Sequence, residues 1–140
     1  MCLGMEESFV AGSFSFIIRG VDLVPDEITK KLNLKPSSVK RKGELLTKEI
    51  KMKDSYWSYQ MKFKNNEELN QVLGEFLDTL LPYKAFISEI AEIYDAYIYF
   101  GLSSNLGQLG FELHPETLQA LADLNIRFEV HIISYGEVEN

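Results

Sequence analysis

Apolar and polar residues alternate in four separate segments of this chain, and that period of two constrains the fold more than any other feature. Near the C-terminus Ile126, Phe128, Val130 and Ile132 alternate with Arg127, Glu129, His131 and Ile133. Earlier, Phe14, Phe16 and Ile18 alternate with Ser13, Ser15 and Arg19. Trp57, Tyr59, Met61 and Phe63 alternate with Ser58, Gln60 and Lys62. Ala96, Ile98, Phe100 and Leu102 alternate with Tyr97, Tyr99 and Ser103. Successive side chains of a strand point to opposite faces, so each segment predicts a strand with one side in the core and one side wet.

Helical signals lie between these strands. Pro25 fits the first turn of a helix over residues 25–33, where Asp26 and Glu27 suit the positive end of the dipole, Lys30 and Lys31 the other end, and Ile28 and Leu32 the buried side. Leu69, Val72, Leu73, Phe76, Leu77 and Leu80 keep the spacing of one helix face, with Asn65 or Asn66 as cap and Pro82 as terminator. Phe86, Ile87, Ile90 and Ala91 predict further helical turns, and Leu118, Leu121 and Ala122 a last helix that Pro115 opens. Residues 37–54 predict either a short strand over 44–50 after Gly43 or an exposed loop. Residues 105–110 read as a loop whose glycines supply positive φ.

The order is strand, helix, candidate strand, strand, helix, strand, helix, strand. It predicts one α+β domain with its core over about residues 13–135. The expected sheet is mainly antiparallel, with four to five strands and helices on one face. The layout is ferredoxin-like (split β-α-β), with an added C-terminal helix–strand unit.

Composition fits a folded domain, with 46% apolar and 25% charged residues. No apolar run approaches the roughly 20 residues of a membrane span. The first residues carry Glu6 and Glu7 and no basic cluster, so no secretory signal is expected and cytoplasm is the default compartment. The one cysteine, Cys2, cannot form an internal disulfide. Charge is polarised: residues 1–70 carry 12 basic and 10 acidic groups, residues 71–140 carry 2 and 11. An acidic protein is repelled by phosphates, so nucleic acid is not the expected partner.

No zinc spacing, P-loop, nucleophile elbow or dinucleotide fingerprint is present, and no metal or cofactor is expected. His114 reads as a helix-start residue and His131 as a solvated or hydrogen-bonded ring on the polar side of a strand. Glu89, Glu92 and Asp95 lie close in sequence, and paired carboxylates can split their acidities to serve as acid and base. No third catalytic group accompanies them. Gly107–Gly110 has the spacing of a backbone-clamping loop, but acidic residues follow it and it reads better as a turn. Tyr97 and Tyr99 point opposite to Ile98 and Phe100, so they fall on an open sheet face or beneath a segment packed over it. Trp57 has the parity of a core residue.

The segments FSFIIRG, V-P-D-E-I-T-K-K-L with K-P, Gly43-Glu44, Trp57-Ser58 and L-H-P-E-T-L-Q-A-L-A-D-L-N-I-R-F-E-V-H-I together resemble the bacterial domain of unknown function 4279 family over residues 14–135. The family pattern often places an acidic residue where His131 stands. The resemblance supplies no catalytic residues. It implies a protein-binding role, since similar small soluble proteins occur in toxin–immunity neighbourhoods. The expectation is a binding module, an immunity-type inhibitor that docks Glu89, Glu92, Asp95, Glu112 and Tyr97 or Tyr99 on a basic protein surface. The alternatives are a small-molecule sensor and a hydrolase built on the acidic cluster.

Overall fold

The computed structural model describes residues 10–65, 68–104 and 110–134. Its elements run β1 (Val10–Gly20), α1 (Pro25–Leu32), β2 (Ser38–Lys40), β3 (Ser55–Phe63), α2 (Leu69–Leu80), a 3-10 turn (Leu81–Tyr83), α3 (Lys84–Ile93), β4 (Asp95–Ser104), α4 (Pro115–Leu124) and β5 (Arg127–Ser134). The strands form one five-stranded sheet in the order β2-β3-β1-β4-β5. β1 pairs antiparallel with β3 and with β4, and β2 antiparallel with β3. The pairing of β4 with β5 is parallel, so the sheet is mixed and not of one sense. The physical reason is the connection. A parallel neighbour needs a crossover, and α4 supplies it between β4 and β5.

Two further crossovers interleave through the centre. α1 links β1 to β2 with β3 lying between them, and α2 with α3 links β3 to β4 with β1 between them. β1 is therefore the central strand, and its own pattern shows it. Phe14, Phe16 and Ile18 are fully buried on the helix side. Register places Phe14 between Met61 and Phe100, Phe16 between Tyr59 and Ile98, and Ile18 between Trp57 and Ala96.

The helices close over that side. Leu73, Phe76 and Leu80 of α2, Ile87 and Ile90 of α3, Ile28 and Leu32 of α1 and Leu124 of α4 join one apolar cluster with the sheet residues. Phe14 stacks on Phe100 at 4.6 Å and meets Phe63 at 5.4 Å and Phe76 at 6.0 Å. Trp57 is wholly buried, and its indole Nε1–H donates to Thr29 Oγ1 of α1 at 3.0 Å. That bond satisfies the one polar atom the tryptophan takes into the core.

Local signals set the helix ends. Asn33 (φ 51°) and Asn125 (φ 55°) take the left-handed conformation that ends α1 and α4, which asparagine tolerates better than most residues. Ahead of α2, the Glu68 N–H donates to Asn65 Oδ1 at 3.1 Å, while Glu68 Oε1 accepts from the Lys64 N–H at 2.9 Å. Asn66, the other expected cap, lies outside the described residues. Pro82 sits in the 3-10 turn between α2 and α3, where its missing N–H removes the continuing hydrogen bond.

Residues 44–50 do not form a strand of the sheet. The strand in this region comes earlier, at Ser38–Lys40. Residues 41–50, all exposed, form a projecting hairpin-like loop held by Met52 N–H to Glu44 O (2.7 Å), Leu46 N–H to Ile50 O (2.7 Å) and an isolated bridge from Leu45 to Lys51. Gly43 turns its start at φ 91°. Of the glycine loop expected at 105–110, residues 105–109 lie outside the described residues, and Gly110 does not take positive φ.

Candidate functional site

The sheet face away from the helices carries the odd-numbered residues of β1, β4 and β5 and the even-numbered residues of β3. Register aligns Ser58, Ile17, Tyr97 and Arg127 across four strands, then Gln60, Ser15, Tyr99 and Glu129, then Lys62, Ser13, Gly101 and His131. None of the helices packs on this side among the described residues. Its centre is nevertheless closed: Ile17, Ser15, Ser58 and Tyr97 are buried by their own cross-strand neighbours.

Arg127 organises one row. Its Nη1 donates to Asp95 Oδ1 at 2.6 Å, its Nη2 lies 3.8 Å from Glu129 Oε2, and its guanidinium carbon sits 4.1 Å from the Tyr97 ring centre. The hydrogen bond to Asp95 is the main reason its pKa is raised above the ordinary arginine value. On the other side of the same tyrosine, the Arg19 guanidinium is directed at the hydroxyl and lies 3.7 Å from Asp54 Oδ1. Burial pushes the Tyr97 phenol above its usual pKa, and the Arg19 guanidinium opposes that shift without cancelling it. Tyr97 is thus clamped between two guanidinium groups.

Tyr99 sits differently. Its ring stacks on His131 at 4.7 Å, and His131 Nε2 lies 3.9 Å from Glu129 Oε1. The Tyr99 ring also reaches over Gly101, where a Cβ would stand 2.8 Å from Cε1. The absent side chain lets the ring lie down along the strand, and it leaves a shallow dip of ≈ 240 Å³ between Tyr99, His131, Ser13 and Ile133.

The carboxylates expected to act together are dispersed. Asp95 is on the sheet face, already paired with Arg127. Glu89 and Glu92 are exposed on α3, in the helix layer. Glu112 follows the far end of β4, where its carbonyl accepts from Asn70 Nδ2 of α2 at 3.1 Å. The structure brings Asp95, Tyr97 and Tyr99 together and adds Arg19, Arg127, Glu129 and His131, which sequence reasoning did not group with them. The alternation of β5 carried that signal, but only the parallel register with β4 converts it into proximity. Among the described residues, no group of three or more His, Cys, Asp or Glu is arranged to hold a metal ion.

The helix layer holds a second concavity. Between α1 and α3 lies an apolar cleft of ≈ 560 Å³ with Leu23, Ile28 and Ile90 at its base, Phe86 and Ile93 along α3, and Lys30 and Lys31 at its rim. Ile93 is 72% exposed, which places a large aliphatic group at its mouth.

A model for the domain of unknown function 4279 (DUF4279) family matches residues 10–135. The chain belongs to that family. No curated protein and no solved structure matches the chain. The matched span covers every strand and helix described above, including the Arg127–Tyr97–Arg19 cluster. No described helix of this DUF4279 domain is long and apolar enough to cross a membrane.

Proposed function

We propose that this chain is a protein-binding module, an immunity-type inhibitor, that docks through the helix-free face of its sheet. The observation that carries the reading is the Arg19–Tyr97–Arg127 cluster beside the Tyr99–His131 stack. Tyrosine and arginine are the residue types that dominate interface energetics, and here cross-strand register and ion pairs hold them in place before a partner arrives. On this face Asp95 and Glu129 are matched by Arg19, Lys62 and Arg127, so attraction to a partner that offers basic groups rests on Glu89 and Glu92, exposed on α3. The interleaved crossovers around β1 support a ferredoxin-like assignment for the first four strands, with α4 and β5 as the added unit.

The test uses the full chain as bait and the affinity of the captured partner as readout. Truncating Tyr99 and Arg127 to alanine is expected to weaken the complex by roughly tenfold or more each, as for central interface residues. Glu89→Ala with Glu92→Ala, on the other layer, is expected to act on association rate and its salt dependence. If only the α3 substitutions weakened binding, the sheet-face reading would be wrong.

The α1–α3 cleft favours a second reading, a small-molecule sensor. Its volume falls within the range of about 300–1,000 Å³ usual for ligand sites, and its apolar base with two lysines at the rim suits an amphiphile with an acidic head. Medium-chain carboxylates, but not the matching alcohols, should raise the melting temperature, and Lys30→Glu with Lys31→Glu should remove the effect.

A further inference from the structure

We propose that the outer edge of β5 pairs with the same edge of a second copy of this chain, antiparallel about a two-fold axis, with Glu129 opposite His131 of the partner subunit. β5 is the last strand of the sheet, so among the described residues its outer backbone edge has no strand partner. An unpaired edge presents free N–H and C=O groups, and sheets ordinarily guard such edges by making them short or charged. The opposite edge follows that rule, because β2 has only 3 residues and includes Lys40. β5 does not. It has 8 residues, no lysine and no proline, and it exposes Val130 (41%), Ile132 (52%) and Ile133 (55%).

The side-chain sequence argues for a second copy over a foreign strand. A two-fold axis normal to the sheet keeps both helix layers on one side, so helix-side residues of one copy meet helix-side residues of the other. Centring the axis at Val130 sets Phe128 against Ile132 and Val130 against itself on the helix side. On the other side it sets Glu129 against His131 and Arg127 against Ile133. A register centred at Glu129 would bring Glu129 onto itself and Arg127 onto His131, and one centred at His131 would stack the two histidines. Only the Val130-centred register covers the exposed aliphatic groups while matching carboxylate to imidazole at both symmetric positions. Directly opposed cross-strand pairs are the interactions that discriminate register. A strand of unrelated sequence carries no such match, whereas a second copy carries it by symmetry.

Sedimentation velocity over a concentration series tests the proposal on the full chain. The wild-type protein is expected to show a monomer–dimer equilibrium. Glu129→Lys, which replaces the carboxylate facing the imidazole with an ammonium, and His131→Glu, which places two carboxylates opposite one another, are expected to weaken it by roughly tenfold. Mixing those two variants restores complementary pairs and is expected to recover association as a heterodimer. Ile132→Lys is expected to leave monomers, with unchanged circular dichroism showing that the fold is intact. A wild-type chain that sediments as a monomer at every concentration would overturn the proposal. So would a dimer indifferent to these substitutions, or a mixture that associates no better than its components.

Discussion

At the residue scale, two side chains show how one polar atom fixes packing. Trp57 brings an indole N–H into the core, and Thr29 is its acceptor across the β3–α1 contact. Replacing Thr29 by valine keeps the shape and orphans the donor. The expected cost is about 1–3 kcal/mol, read as a lower urea midpoint with an unchanged slope. The parity of Trp57 announced its burial, but nothing in the sequence named Thr29 as its partner. Tyr97 is the second case. Its phenol titrates above the ordinary value because burial disfavours the phenolate. A group with a raised folded-state pKa contributes stability that is fully present below its unfolded value, about 10, and that is lost as pH rises through the folded value. Urea midpoints should therefore fall as the pH passes above about 10, and Tyr97→Phe should lessen that fall. The sequence placed Tyr97 on the polar side of β4. Its burial there comes from Ile17, Arg19 and Arg127, which belong to other strands.

At the scale of elements, the central periodic segments behaved as their patterns require, whereas α4 buries Leu124 in place of the expected Leu118 and Ala122, which are exposed because no further layer covers that side of the helix. α2 buries Leu69, Leu73, Phe76, Leu77 and Leu80, the residues its spacing selects. β2 has no pattern of its own and exists because Ser38, Val39 and Lys40 find the open edge of β3. The segment over 44–50 carries apolar residues without a partner surface, and so Leu45 (63%), Leu46 (57%) and Ile50 (53%) remain in water. Their burial contributes nothing to the fold. Replacing all three with serine or threonine is expected to change stability by no more than about 0.5 kcal/mol each, checked by thermal melting. A large loss would mean that the hairpin packs on the body of the protein in solution.

For the whole molecule, stability should fall from the central strand outward. β1 is paired on both sides and flanked by β3 and β4, whereas β2 and β5 each have one neighbour. Helix-side coverage thins in the same direction: α4 buries only Leu124, and Val130 and Ile132 of β5 stay exposed. Hydrogen exchange should be slowest in β1, intermediate in β3 and β4, and fastest in β2 and β5. Equal protection of β1 and β5 at low protein concentration would contradict this gradient. What the chain's own patterning settled was the existence of the helices and of the four long strands, and the core-facing side of β1, β3, β4 and α2, because those properties follow from periods of 3.6 and 2 within a single segment. For α4 and β5 it did not settle burial, since Leu118, Ala122, Val130 and Ile132 stay exposed. It also fixed the polarity of charge along the chain. Only the tertiary structure decided the parallel sense of β5, the position of β2 and the company Tyr97 keeps. Those depend on which strand lies beside which, and neighbours in a sheet are chosen by burial summed over the whole core, which no local pattern encodes.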